Sequence, residues 1–450
     1  MSKSTDTNKF HRRTFLEKGT TAATSVALSC ATVSMVSAGE KPPKKLRIGV
    51  IGTGRRSNTH LRQLLKHNDN VVVPAICDCK PAALASGVRA VQSFGGGTPE
   101  TYGKDEYAYR DLLARDDIDG VIVATDCQWL GKISIDALKA DKYVGSEVTG
   151  THSLEECWEL VKAKEKSKGR YMLLENASYG RETLIVLNMI RKGVFGNPCF
   201  GVGSYIHDCR FLAYEPDGQL TWRGRMVRDD YGCNYPSHAI GSPAKWLGIN
   251  DGDRMVSLTA VMTEPQGLHD QAVKKFGPDS PQAKIKFKSG DITIVNIRTA
   301  KGKVLRIDCG LGCTRPYSRY YTLQGLTGCY DSRKGVYINN DAGKVDAVVW
   351  PHKLVKNYAA EFEHKLYREE AEQAKKAGGH GGLDYFVNRD FLQMIREDKD
   401  PWIDAYDAAA WTSIMHLSRH SIDKNSAPVD IPDFTGGRWK NPDWRKGRMA

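Results

Sequence analysis

Apolar residues in the first third of the chain fall in short unbroken runs, each followed by a stretch of mixed polarity. Leu46 to Ile51, Val71 to Asp78, Asp119 to Thr125, Asp141 to Glu147 and Tyr171 to Glu175 are such runs. Runs without polar alternation are strands buried on both faces, the mark of a parallel sheet covered by helices. Between them, helices are predicted at Thr59 to Lys66, Tyr109 to Asp116, Ile133 to Ala140, and from an N-cap at Ser153 to Lys168, with Glu156 placed to close a capping box. The expected fold class is α/β, a Rossmann doubly wound parallel sheet over 39–175 followed by an α+β domain over 176–450.

In the second half the pattern changes. After a helix that ends at Arg191, before Gly193, strands are predicted at Phe200 to His207, Val256 to Met262, Ile292 to Arg298 and Val304 to Asp308, forming a large mixed or antiparallel sheet. Along Phe200 to His207, Val202 and Ile206 share one face, and Tyr205 and His207 share the other. A helix is expected from Ala239 to Leu247 and turn-rich chain from Gly325 to Val348. Leu354 to Ala377 reads as one charged helix, Gly378 to Gly382 as a break, and Asp384 to Glu397 and Asp404 to Asp423 as helices packing back on the core.

The first strand ends in Gly52-Thr53-Gly54-Arg55-Arg56-Ser57. Strand, glycine turn and helix in that order form a dinucleotide-binding unit, with the helix N-terminus facing a pyrophosphate. Gly52 lets the chain turn, Gly54 leaves room for the phosphate, and Ser57 stands where a third glycine is usual. Asp78, 24 residues after Gly54, ends the second strand, where an acid bonds the adenosine ribose. A carboxylate there selects NAD over NADP, whose 2′-phosphate it would repel. Ligands in such sheets lie beyond the carboxyl ends of the strands, which gathers Gly52 to Ser57, Asp78, Thr125 to Leu130, Glu147-Val148 and Glu175-Asn176 around one crevice.

Residues 1–38 read as an export signal: Arg12-Arg13-Thr14-Phe15-Leu16 is a twin-arginine pattern, Gly19 to Val36 is mildly apolar, and Val36-Ser37-Ala38 suits cleavage. The expected location is the periplasm or cell exterior, and no other segment is long and apolar enough to span a membrane. The formal charge is +12; the signal carries five basic and two acidic residues, so the remainder carries +9. Its Lys and Arg are dispersed, which argues against a nucleic-acid stripe and leaves polyanionic glycans open as partners. The eleven cysteines include no CxxC pair and no metal-ligand spacing, so neither a metal nor a disulfide is assigned. Homo-oligomer formation is left open.

Ala124-Thr125 and Glu147-Val148 at two strand ends resemble the glucose-fructose oxidoreductase/inositol dehydrogenase superfamily. Val148 stands where that superfamily carries a lysine that assists proton transfer in sugar oxidation, which disfavours an ordinary sugar dehydrogenase. Glu175-Asn176-Ala177-Ser178-Tyr179-Gly180, Tyr205, Trp222-Arg223, Asn234-Tyr235-Pro236-Ser237-His238-Ala239-Ile240-Gly241 and Arg315-Pro316-Tyr317-Ser318-Arg319 are similar to glycoside hydrolase family 109, the NAD-dependent N-acetylgalactosaminidases. The resemblance covers nearly all of the chain beyond the signal. It implies a carbohydrate substrate and NAD as cofactor. NAD would contact Arg56, Ser57, Asp78, Cys127, Gln128, Trp129, Leu130, Glu147, Val148 and Asn176. Sugar would contact Tyr205, Arg223, Tyr235, Pro236, Ser237, His238 and Tyr317. Leu130 replaces a family histidine, and Ala177-Ser178 replace two cysteines.

An ordinary glycosidase needs two carboxylates flanking the scissile bond, and redox-assisted enzymes are an exception. Oxidation at C3 acidifies the C2 proton, the leaving group departs by elimination, water adds, and C3 is reduced again, with no net redox. That chemistry needs a base near neutrality and donors for an enolate. The candidates are His238 and Tyr235 for proton transfer, Tyr179 as a further one, and Arg223 for the enolate or the N-acetyl oxygen. His207, His364 and His420 are assigned no role. A sugar dehydrogenase with net cofactor turnover and a catalytically silent sugar-binding protein are the alternative readings.

Overall fold

The computed structural model describes residues 45–339 and 353–448. The twin-arginine segment and the end of the turn-rich stretch lie outside the described residues. The described residues form one compact unit built on two sheets. The first holds β1 (Leu46–Ile51), β2 (Val71–Cys77), β3 (Glu100–Tyr102), β4 (Gly120–Val123), β5 (Tyr143–Ser146) and β6 (Tyr171–Leu173) in the order β3-β2-β1-β4-β5-β6. Every pairing is parallel. The order reverses at β1, which puts the ligand crevice at the carboxyl ends of β1 and β4. Pro74 has no N–H to donate, and the β1–β2 register shifts by one residue there, between Arg47↔Val72 and Gly49↔Ala75.

Interleaved with these strands are α1 (Arg55–Lys66), α2 (Pro81–Ser93), α3 (Tyr109–Leu113), α4 (Cys127–Lys139) and α5 (Leu154–Lys166). The apolar patterning did not single out α2 or β3. The first is Ala-rich with few large apolar side chains, and the second has three residues, two of them exposed. Helix α4 begins six residues before the predicted Ile133, and its first turn already buries Cys127 and Leu130. Ser153 caps α5 by accepting the Glu156 N–H at 3.0 Å. The Glu156 carboxylate accepts instead from the His152 N–H at 2.7 Å.

After α6 (Arg181–Arg191) come β7 (Phe200–Ile206), α7 (Trp222–Asp229), α8 (Ser237–Leu247), β8 (Met255–Met262), α9 (Gly267–Phe276), β9 (Thr293–Thr299), β10 (Val304–Gly310), β11 (Tyr321–Gln324), β12 (Gly328–Asp331) and β13 (Gly335–Ile338). The predicted helix over 354–377 breaks at Glu363-His364 into α10 (Ala359–Phe362) and α11 (Lys365–Ala377), with His364 accepting from the Leu366 N–H. Then follow α12 (Leu383–Glu397), α13 (Ala405–Asp423) and β14 (Val429–Asp430). The second sheet is mixed, in the order β13-β12-β11-β7-β10-β9-β8-β14, with β7 and β10 its parallel pair. One apolar core runs from Ile48 and Val121 of the first sheet through α8 and α13 to Val295 and Leu305 of the second. A satellite cluster (Ala213, Met226, Leu268, Ala272, Phe287) lies under α7 and α9, neither of which the patterning anticipated. Among the described residues, no helix is long and apolar enough to cross a membrane.

Two glycines set the depth of α8. A Cβ on Gly203 of β7 would lie 1.8 Å from the Ala239 carbonyl oxygen, and one on Gly241 would lie 2.4 Å from the Ser178 Oγ. Only glycines let the first turns of α8 press against both β7 and the chain after β6. That approach carries His238 over Glu175.

Candidate active site

The turn after β1 is shaped for a dinucleotide. Gly52 has φ +86, and a Cβ there would meet the Ala124 carbonyl oxygen at 2.5 Å. A Cβ on Gly54 would meet nothing within 4 Å, so the space above it is open. Gly54 is the N-cap of α1, with no side-chain cap and no acid in the first turn. Arg55 and Arg56 occupy that turn, and its unmet N–H groups present positive potential to an anion. The Asp78 carboxylate accepts from the Thr53 N–H at 2.8 Å and from the Lys80 N–H at 2.9 Å. It is held at the crevice with acceptor capacity to spare for ribose hydroxyls. These residues fit the pyrophosphate and adenosine ribose of NAD.

Arg56 points across the crevice. Its Nε donates to Glu147 Oε1 at 2.7 Å, and Nη2 donates to Asp384 Oδ1 at 2.9 Å. His60 reaches the same Glu147 oxygen at 2.8 Å, and Asn176 Nδ2 donates to Asp384 Oδ1 at 2.8 Å. Burial alone would raise the Glu147 carboxyl, but Arg56 and His60 outweigh it and hold it down to about 2. The network locks the start of α1 and the end of β5 to α12.

Beyond it lies a cavity of about 400 Å³ lined by Arg56, Cys127, Glu147, Val148 and Asn176 on one side and by Tyr205, His207, Arg223, Tyr235, His238, Tyr317 and Arg319 on the other. The Tyr205 ring stacks on Tyr235 at 5.6 Å and meets His238 edge-on at 4.8 Å. Tyr205 Oη and His207 Nδ1 are 2.9 Å apart. Burial lowers the His207 pKa, with Arg223 and His238 adding to the effect, so its ring stays neutral and can accept from the Tyr205 hydroxyl. Burial also pushes the Tyr235 phenol well above its usual value against the downward pull of Arg223, so Tyr235 is a proton donor, not a resting base. The Arg223 guanidinium lies 4.4 Å from the Trp222 ring centre and 5.5 Å from that of Tyr235. Its Nη1 is buried without a hydrogen-bond partner among the described residues, leaving a strong donor for a ligand oxygen.

His238 sits over a buried acid. Glu175 is fully buried; its Oε1 accepts from the Ala177 N–H at 2.8 Å, and its Oε2 lies 2.7 Å from His238 Nδ1. The N–H direction is off line, so the two atoms are in contact without an aligned hydrogen bond. On the other side the His238 carbonyl accepts from the Tyr321 hydroxyl at 2.6 Å. The backbone is therefore held, with Nδ1 turned to Glu175 and Nε2 left for the cavity.

Several residues proposed from the sequence lie elsewhere. Tyr179 is completely buried, donating its hydroxyl to Asp390 at 2.9 Å and packing edge-on against Trp402, so it is a core residue and does not line the cavity. Leu130 is also fully buried, because α4 starts early enough to turn it inward. Gln128 and Trp129 lie outside the cavity lining, and Trp129 packs edge-on against Tyr107 at 5.5 Å. The buried Ser57 hydroxyl turns back to the Gly54 carbonyl at 2.8 Å. Pro236 is the N-cap of α8, and Ser237 is buried behind it. His207, Arg319 and His380 line the cavity without having been assigned a place there. His207 could have been found: it shares a strand face with Tyr205. His380, paired with Asp384 at 2.7 Å, lies inside the glycine-rich break over Gly378 to Gly382 and gave no such signal.

The profile of the glycosyl hydrolase 109 C-terminal domain matches residues 179–441, and that of the oxidoreductase family with an NAD-binding Rossmann fold matches residues 46–174. A glycosyl hydrolase family 109 protein of Shewanella pealeana is 32% identical over 96% of this chain and 98% of its own length. An alpha-N-acetylgalactosaminidase of Tannerella forsythia is 34% identical over 95% of this chain and 97% of its own. Levoglucosan dehydrogenase in complex with NADH and levoglucosan superposes with a TM-score of 0.66 at 19% identity, covering 86% of this chain and 99% of that one. Myo-inositol dehydrogenase of Lactobacillus casei gives 0.55 at 16% identity, which supports the same two-sheet fold. With a hydrolase-family match over more than half its length behind an NAD-binding Rossmann sheet, the chain belongs to glycosyl hydrolase family 109.

Proposed function

We propose that the protein is a glycosidase of α-N-acetylgalactosaminides, or of closely related glycosides, that works through a transient C3 ketone with no net oxidation. One observation carries this reading: both carboxylates at the centre of the site are already committed. Glu147 is paired with Arg56 and His60, and Glu175 with His238 and the Ala177 N–H. Among the described cavity-lining residues, no free carboxylate pair flanks a glycosidic bond in the way direct hydrolysis requires. Bound NAD would supply reversible removal of the C3 hydrogen together with its electron pair.

The chain's own groups supply the proton chemistry. His238 Nε2, with Glu175 behind it, accepts the proton from the C3 hydroxyl or from C2 once C3 is a ketone. Tyr235, held neutral, donates to the oxygen that gains negative charge or to the leaving group. Arg223 offers its unmet Nη1 to the enolate or the N-acetyl oxygen. Tyr205 and Tyr317 line the sugar side of the cavity. Val148, where a lysine would serve a sugar dehydrogenase, adds an apolar wall and no proton carrier.

Aryl N-acetyl-α-galactosaminide in deuterated water tests the reading. Aryl release with deuterium at C2 of the product is expected. Release without deuterium rejects the elimination route, and accumulation of NADH points to a dehydrogenase instead. The twin-arginine pattern at Arg12-Arg13 supports a second element of the proposal: export of the folded protein with NAD already held.

A further inference from the structure

Cys233 and Cys309 meet beneath the site. Their sulfurs are 3.0 Å apart, and both side chains are buried. Cys233 opens the segment that carries Tyr235 and His238, and its N–H donates to the Ser418 Oγ at 2.9 Å. Cys309 lies on β10 directly opposite Tyr205 of β7. The Gly232 carbonyl accepts from the Thr293 hydroxyl at 2.9 Å, and Thr293 is the β9 partner of Cys309. The segment thus lies on the strands that face the sugar side, with the two sulfurs at its closest approach.

We propose that Cys233 and Cys309 form a disulfide that staples the Tyr235–His238 segment to β10. A bonded pair sits at about 2.05 Å, so the sulfurs must close by roughly 1 Å. The oxidant is a disulfide donor of low molecular mass. One cysteine thiolate attacks a donor sulfur and releases one donor thiolate. The second cysteine thiolate then attacks the mixed disulfide at the first cysteine's sulfur and releases the other donor thiolate. The two cysteine protons end on the two released donor thiols, and two electrons pass to the donor. The shared contact with Cys233 and burial both hold the Cys309 thiol well above its usual value, so the exchange is slow while the segment is closed and proceeds through its local opening. Nothing in this proposal depends on the reaction the site performs.

The test uses the full chain, purified reduced and then incubated with oxidised glutathione at mildly alkaline pH. Samples are blocked with an alkylating agent under denaturing conditions and peptide-mapped without reduction. The expected result is a cross-linked peptide pair containing Cys233 and Cys309, with the other described cysteines alkylated. The two cysteines are 76 positions apart, and closing so long a loop should raise the midpoint of thermal unfolding by about 5 °C over the reduced protein. Cys309→Ser should lose both the cross-link and the difference. If that variant does not fold, the wild-type map still decides the matter. Alkylation of both Cys233 and Cys309 after full exposure to the oxidant, or a cross-link joining either of them to a different cysteine, overturns the proposal.

Discussion

Replacing Glu175 by Gln probes the proton chemistry with the least disturbance to the fold. The side chain is fully buried and its shape is kept, so the amide oxygen can go on accepting from the Ala177 N–H. What changes is the atom 2.7 Å from His238 Nδ1. A carboxylate favours the tautomer that carries its proton on Nδ1 and leaves Nε2 bare, whereas an amide N–H donates to Nδ1 and selects the tautomer whose Nε2 carries the proton. The negative charge that stabilises the imidazolium also disappears. With charge centres about 4 Å apart and an effective dielectric near 20, that charge is worth about 4 kcal/mol. His238 is partly exposed, so screening trims the effect, and a loss of about 10²- to 10³-fold in kcat is expected, with KM nearly unchanged. The assay is aryl release from aryl N-acetyl-α-galactosaminide, with NAD content measured on the same preparation. If Glu175→Gln retains its NAD and turns over within threefold of wild type, the Glu175–His238 pair does not move the proton and the mechanism is wrong.

Tyr235→Phe removes the buried donor while keeping the stack on Tyr205, so kcat should fall about 10²-fold with NAD content unchanged; full activity would remove Tyr235 from the chemistry. Asp384→Ala leaves Arg56 and Asn176 without their shared buried acceptor and should cost about 3–5 kcal/mol of stability, read by urea unfolding. Burial, reinforced by Arg419, His152 and His420, lowers His416 to about 3 from a normal 6.5. The unfolded chain therefore takes up this proton below pH 6.5, while the folded chain resists until about pH 3, and stability drains over that window by up to about 1.4 kcal/mol per pH unit. His416→Gln should flatten that slope, and identical stability curves for both proteins from pH 6 to pH 4 would refute the assignment. Protein purified without added nucleotide should release NAD(H) into a denatured extract; an extract without it would count against retention.

What could be read in the chain follows from where each element buries its surface. The parallel strands are apolar on both faces, so Val121 to Val123 and Val71 to Cys77 announce themselves without any partner being known. Strand β9 also shows in the sequence, because its burial alternates from Thr293 to Thr299. Cys127 to Leu130 failed that test. Four residues with one polar member resemble a loop, but α4 already begins at Cys127, which turned Leu130 from an expected cofactor contact into core. The carboxylates failed for a different reason. Glu147 and Glu175 at the ends of buried strands signalled a crevice correctly, but what each does depends on a partner distant in the chain. Arg56 is 91 positions before Glu147, and Asp384 is 328 positions after Arg56. Local pattern carries no information about such pairings, since each residue satisfies its own helix or strand equally well with or without the other. Yet those pairings decide the chemistry. If Glu147 were free of Arg56 and His60, the cavity would hold a carboxylate able to act as acid or nucleophile. Bound as it is, with its pKa near 2, it can do neither at neutral pH. In the proposed mechanism, acid–base work on the sugar then falls to His238 and Tyr235, groups that can move protons but give a glycosidic bond no nucleophile, which is why that mechanism has the neighbouring carbon activated before the bond leaves.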